Sequence, residues 1–239
     1  MKEQNYAAWR DDRIARLMTQ ENYNFQDLCD VVTILRGEGG CPWDREQDHH
    51  SVRKGMIEEC YEVVEAIDRD DPELLREELG DVLLQVVFHA DMEKDVGRFD
   101  IDDVANDECV KMIRRHPHVF GTVQVDNSDE VLSNWEVIKK EEKQRLTLAE
   151  QLRAIPPMLP ALMRAQKVGR KAALDSDRTP EDMMLELSSQ LAELAKNGDE
   201  ARSRMGDVLL RMTSLCRLLG IEAEEELTAS VEKTIDEIS

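Results

Sequence analysis

The stretch GMIEECYEVVEAIDRDDPELLREELGDVLLQVVFHA, residues 55–90, decides the fold. Apolar residues recur in it at helical spacing: Met56, Ile57, Val63, Val64 and Ile67, then Leu79, Val82, Leu83, Val86 and Val87. Steps of three and four residues bring such side chains onto one face of a helix. Between the two runs stands DRDDPELL, where Asp71 precedes Pro72. A proline in the first helical turn removes an amide hydrogen that would have had no partner there. The stretch therefore reads as an αα-hairpin, with helices predicted over 51–69 and 72–96. Acids flank the apolar stripe: Glu59 and Glu62, Glu58 and Glu62, and Glu78 and Asp81 are three or four residues apart. Each pair shares a face, so four acids are predicted to meet across the hairpin, close to the interior.

Clustered carboxylates repel one another and do not all stay ionised without a compensating cation. Oxygen donors at this density favour Mg²⁺ or Mn²⁺ over zinc, which recruits Cys or His more often. The alternative is a solvated helix face, because glutamate is a good helix former and 35% of the chain is charged. Spacing alone leaves both readings open. A carboxylate-bridged di-iron bundle is set aside, since it requires Glu-x-x-His pairs on the hairpin, where Glu62 stands three residues after Glu59 and Val86 three before His89.

Composition sets the frame around this hairpin. The 239 residues are 41% hydrophobic but only 4% aromatic, and they are rich in Leu, Glu, Ala and Arg, which favours an all-α fold. The formal charge of −21 repels phosphate backbones and anionic lipid, so nucleic acid and membranes are not expected partners. The opening MKEQNYAAWRDDRIARL is charged throughout and no apolar run approaches the ~20 residues that span a bilayer, so a cytoplasmic location is expected. Five cysteines without a CxxC pair read as thiols, some of them buried.

Outside the hairpin, helices are predicted near 3–20, 24–36 and 102–115, over DEVLSNWEVIKKEEKQRL, and from 160 onward. RGEGGCPWDREQDHHS and RRHPHVFGTVQVDNSDE read as loops, and three prolines between Pro156 and Pro160 mark a boundary. EELGDVLLQVVFHA at 77–90 recurs as SRMGDVLLRMTSLC at 203–216, which implies two related helical units. In the second copy Arg204 replaces Glu78 while Asp207 matches Asp81, and EECYE at 58–62 becomes ELSSQ at 186–190.

With these residues in place, the sequence resembles the MazG family of nucleoside triphosphate pyrophosphohydrolases. The family pattern EExxE followed by ExxD appears as Glu58, Glu59, Glu62, then Glu78 and Asp81. GCPWDREQ, ELGDVLLQVVFHA, RRHPHVFG, NWEVIKKEEK and IPPMLPALMRAQK are similar to other stretches of the family's first domain, and together the likeness covers about 25–170. The resemblance implies a short helical domain that completes a four-helix bundle with a second copy, normally in a homodimer. It also implies hydrolysis of a nucleoside triphosphate to the monophosphate and diphosphate. By the same likeness Glu59, Glu62, Glu78 and Asp81 are the Mg²⁺ ligands, and Glu58 lies in the outer shell or helps to orient the attacking water.

Cleavage between the α and β phosphorus requires an activated water and neutralisation of charge on the leaving diphosphate, and bound magnesium supplies both. Candidate phosphate contacts are Lys111, Arg114 and Arg115; Trp135 and Lys139 share a face and offer an indole and a cation to the nucleotide. Lys111 and Arg115 as surface charges, and Trp135 as a cover for a helix junction, remain the plain alternatives. Trp43 reads as a packing anchor, and His116 and His118 as structural.

The expected organisation is an N-terminal helical extension over 1–22, a catalytic domain over 23–150 and a degenerate second domain over 151–239. The second domain lacks the acid set, so activity is assigned to the first. Two alternatives stand beside this reading: a catalytically weak nucleotide-sensing or protein-interaction dimer, and a relative with a narrower substrate such as dUTP or phosphoribosyl-ATP.

Overall fold

A computed structural model describes residues 3–143, 147–196 and 201–238. Every regular element among them is helical: α1 (Glu3–Leu17), α2 (Phe25–Arg36), α3 (Pro42–Glu46), α4 (His49–Asp68), α5 (Pro72–Asp95), α6 (Ile101–Arg115), α7 (Pro117–Phe120), α8 (Ser128–Lys143), α9 (Leu148–Arg153), α10 (Ala161–Lys171), α11 (Pro180–Lys196), α12 (Ala201–Leu218) and α13 (Ala223–Ile238). The all-α expectation holds. The chain divides into two compact units, residues 1–131 and 132–239.

In the first unit the starts of the helices are written in side chains. Asn24, Asp48 and Asp100 cap α2, α4 and α6, each accepting from backbone amides of the first turn while the third helical residue returns a bond to the cap. Asp71 accepts from Glu73 and Leu74 ahead of Pro72. The turn before it requires a left-handed residue, and Asp70 supplies one with φ of 52°. α1 ends at Leu17, short of the predicted limit, because the Thr19 hydroxyl donates to the carbonyls of Ala15 and Arg16 and closes the last turn.

α4 and α2 both pack on α5, and α6 closes on its far end. The core holds Cys29, Val32, Val87, Phe88 and Met92, with Val52, Leu84 and Ile101 against it. Charge is buried with its partners: Asp91 accepts from Thr33 at 2.6 Å and from Arg36 at 2.9 Å, and α1 is tied to α2 by Arg16, which bonds Asp27 and Asp30. Two glycines make room for α1. A Cβ on Gly37 would overlap the Tyr6 ring, and one on Gly39, at φ of 76°, would strike Arg10.

Three expectations need correction. The glycine-rich loop contains the short helix α3, and the segment after Arg115 contains α7, each opened by a proline in its first turn. Trp43 is 64% exposed and anchors no core. The apolar stripe of the hairpin is only partly covered, since Ile57, Val64, Ile67, Leu79 and Leu83 remain exposed. The face of α5 toward α2 carries the core instead. The predicted helix over DEVLSNWEVIKKEEKQRL is seen as far as Lys143; its end lies outside the described residues.

In the second unit α10 and α11 pack on α12, and α13 packs on α10 and α12. Met183, Leu187, Leu194 and Val208 form its core. Gln166 joins the ends of the unit, donating to the Ile221 carbonyl and accepting from the Ala223 amide.

Phe88 is 7% exposed at the centre of the first core. Phe88→Ala is expected to lower stability by about 3–5 kcal/mol, measured by urea unfolding.

Candidate functional site

α4 and α5 run side by side, and their facing turns bring together acids that are far apart in the chain. Glu59 from α4 and Glu78 and Asp81 from α5 each offer a carboxylate oxygen within 4.8 Å of the others. Among the described residues this is the one cluster of metal-ligating side chains with that closeness. Glu62 lies near enough to raise the carboxyls of both Glu59 and Glu78. All but Glu62 are partly buried.

The electrostatics record the crowding. Burial, first, and then Glu62, Asp81 and Glu78 hold the Glu59 carboxyl above its ordinary range. Glu78 is raised in the same way, by burial and then by Glu62, Asp81 and Glu77. Withdrawal from water and like charge both disfavour the ionised form, and a bound cation relieves both. Oxygen donors from two helices, with no thiol or imidazole among them, form the hard donor set that suits a small divalent cation.

Glu58 does not join the cluster: its carboxylate bonds Lys54 at 2.7 Å on the outer face of α4 and is 55% exposed. Lys111 on α6 pairs with Glu108 one turn back. Arg114 and Arg115 stand in the last turn of α6, where positive charge complements the helix dipole. On α8, the Lys139 ammonium lies 4.0 Å from the centre of the Trp135 ring, a cation–π contact that uses the shared face foreseen from their spacing.

Sequence reasoning missed one polar group in the first unit. His49, at the start of α4, and His89, on α5, stack with ring planes 5° apart, and their Nδ1 atoms are 2.7 Å from each other. His49 Nε2 lies 2.5 Å from Glu93 Oε1, and Arg98 closes on the same carboxylate. Forty residues separate the two imidazoles, and no spacing rule links them before the hairpin is folded. His116 and His118 lie with tilted rings, and His116 Nδ1 contacts the Met112 carbonyl, as structural histidines do.

Comparison with known proteins agrees with the arrangement. Residues 47–120, which span α4 to α7, match the model of the MazG nucleotide pyrophosphohydrolase domain. The nucleoside triphosphate pyrophosphohydrolase/pyrophosphatase MazG of Thermotoga maritima is 38% identical over 223 residues, covering 92% of this chain and 86% of its own. The nucleoside triphosphate pyrophosphohydrolase of Escherichia coli is 42% identical over 220 residues, covering 86% and 82%. The uncharacterized protein YabN of Bacillus subtilis is 42% identical over 219 residues, and this chain spans 45% of its length. With the helical hairpin, its converging acids and relatives matched along most of both chains, the chain belongs to the MazG family.

Proposed function

We propose that the chain hydrolyses nucleoside triphosphates to monophosphate and diphosphate, with the active site on the α4–α5 hairpin and Mg²⁺ as its cation, or Mn²⁺ in its place. The observation that carries this is the meeting of Glu59, Glu78 and Asp81 within 4.8 Å across two helices. Relatives of matching length from Thermotoga maritima and Escherichia coli bear the name of that activity.

In this reading Glu59, Glu62, Glu78 and Asp81 hold the cation. When bound, it activates water near neutral pH and neutralises charge on the leaving diphosphate. The chain's own residues do the rest. The acids fix the cation against two packed helices, which limits its displacement as the phosphorus is attacked. Glu58 is close enough in sequence to orient water from outside the ligand set once Lys54 releases it. Lys111, Arg114 and Arg115 on α6 supply positive charge for the phosphate oxygens. A chain of formal charge −21 holds a triphosphate only by such local cations.

We also read the chain as a homodimer. Ile57, Val64 and Ile67 on α4 and Leu79 and Leu83 on α5 are exposed large apolar residues on the helices that carry the acids. A second copy laid on that face completes a four-helix bundle. The site of action is assigned to the cytoplasm; no helix among the described residues is long and apolar enough to cross a membrane.

Three outcomes test this. Glu59→Ala and Asp81→Ala are expected to reduce magnesium-dependent diphosphate release by about a hundredfold or more, assayed with a panel of canonical and modified triphosphates. Undiminished turnover overturns the assignment. The second outcome follows from the raised carboxyls of Glu59 and Glu78. In the folded chain without cation these groups keep protons that the unfolded chain has released, so their contribution to stability is full below the ordinary value of 4.5 and is lost as pH rises through the folded values. Glu78→Gln is therefore expected to melt higher than the parent at neutral pH without cation, and to lose the rise in Tm that Mg²⁺ gives the parent. Third, Val64→Glu with Ile67→Glu is expected to yield a monomer by sedimentation.

A further inference from the structure

The two helices of the hairpin meet along a polar seam. Glu59 stands against Glu78 and Asp81, Gly55 against Gln85, and His49 against His89. Between the acids and the imidazoles the middle step is therefore an uncharged one. Gln85 follows Asp81 by four residues and Glu78 by seven, and Gly55 precedes Glu59 by four, so both lie on the faces that carry the acids. Four residues of helix rise about 6 Å, which puts Gln85 one turn from the cluster.

Glycine in the interior of a helix is unfavourable, because it orders the freest backbone and packs no side chain. Gly55 stands inside α4 all the same. A Cβ there would lie 3.0 Å from Gln85 Nε2 and 3.8 Å from Gln85 Cδ, and would meet no other atom of a neighbouring element within 4 Å. The missing side chain leaves a notch in the seam, bordered by one carboxamide. Gln85 is partly buried, its amide makes no hydrogen bond among the described residues, and neither amide atom is sealed from solvent. An amide withdrawn from bulk water and left unpaired, yet open to an incoming group, is suited to a ligand.

Where the acids are gone, the notch has gone too. The α4–α5 pair recurs in the second unit as α11–α12. By the sequence echo Glu78, Asp81 and Gln85 correspond to Arg204, Asp207 and Arg211, and Gly55, Glu59 and Glu62 to Met183, Leu187 and Gln190. Met183 is 0% exposed and fills the position that Gly55 leaves open. Arg211, in place of Gln85, bonds Glu186 at 2.9 Å. Notch and amide accompany the acid set in one unit and are absent with it in the other, as parts of one site are.

The chemistry of the step selects its ligand. A phosphate oxygen uses donors only, and beside these carboxylates it is repelled wherever the cation does not neutralise it. A carboxamide is uncharged and both donates and accepts, which matches an alcohol. One turn from a cation on the triphosphate, the sugar is the part of the nucleotide at hand, and the base lies beyond it. We propose that the notch at Gly55 receives the sugar of the nucleotide and that the Gln85 carboxamide hydrogen-bonds one of its hydroxyls, which makes Gln85 a specificity-determining residue. This rests on the reading of the hairpin as a nucleoside triphosphate site.

The test compares ATP, GTP, CTP and UTP with their 2′-deoxy and 3′-deoxy forms on the full chain. Diphosphate release in Mg²⁺ gives kcat/KM, and calorimetric titration of the α,β-methylene analogues, which are not cleaved, gives affinity. Removing one of the two hydroxyls is expected to cost the parent about tenfold or more in both quantities. Gln85→Leu and Gly55→Ala are expected to erase that difference by weakening the hydroxyl-bearing substrate. Gly55→Ala fills the notch with one methyl, favours the helix, and gives the readout should Gln85→Leu fail to fold, which circular dichroism reports. A parent that treats the three sugars alike overturns the proposal, and so do variants that weaken all three alike or none. Diphosphate release without sugar discrimination sinks the notch and leaves the reaction standing. Discrimination among the uncleaved analogues by a chain that releases no diphosphate sinks the reaction and leaves the notch.

Discussion

The repulsion among Glu59, Glu62, Glu78 and Asp81 is the constraint around which the first unit is arranged. Packed helices hold these carboxylates together although burial and like charge both resist it. Such an arrangement persists only if the surrounding fold over-determines it. The long contact of α4 with α5, the Asp71–Pro72 start of α5 and the left-handed turn at Asp70 supply that rigidity. On its other side α5 is fixed to α2 by the Phe88 core and by Asp91 with Thr33 and Arg36.

The two units show what becomes of the same scaffold when that repulsion is removed. In the second, Glu186 survives at the position of Glu58, but it lies between Arg178 and Arg211. Arg178 and Arg211 neutralise Glu186 there, as Lys54 neutralises Glu58 in the first unit. Helix order and some buried apolar positions persist through this exchange, Ala66 with Leu194 among them, while Val87 and Phe88 give way to the buried polar Thr213 and Ser214.

Much of this was legible in the sequence, for identifiable reasons. The all-α class, the hairpin and the pairing of acids follow from periodicity and from Asp-Pro at a helix start, which are local signals. The resemblance to the MazG family rested on those acids and their spacing. What escaped was non-local or depended on what covers a surface. The exposed state of Ile57, Val64 and Leu79 cannot be read from an apolar stripe, because the stripe says that a face is to be covered and not by which molecule. The exposure of Trp43 is beyond local sequence for the same reason. α3 and α7 are too short for a periodic signal, and only Pro42 and Pro117 announce them. Glu58 was grouped with its neighbours by spacing, while its partner Lys54 lies four residues back on the same helix and draws it outward.

The stacked imidazoles at the foot of the hairpin carry a consequence of their own. Two Nδ1 atoms 2.7 Å apart accommodate one hydrogen between them, so one ring must present a lone pair there. Glu93, itself held by Arg98, meets the other nitrogen of His49. His89 is the ring that must stay neutral: burial, and then the charge on His49, press its proton affinity below the ordinary value. The two rings clasp the first turn of α4 to the last turns of α5, at the end of the hairpin remote from its acids.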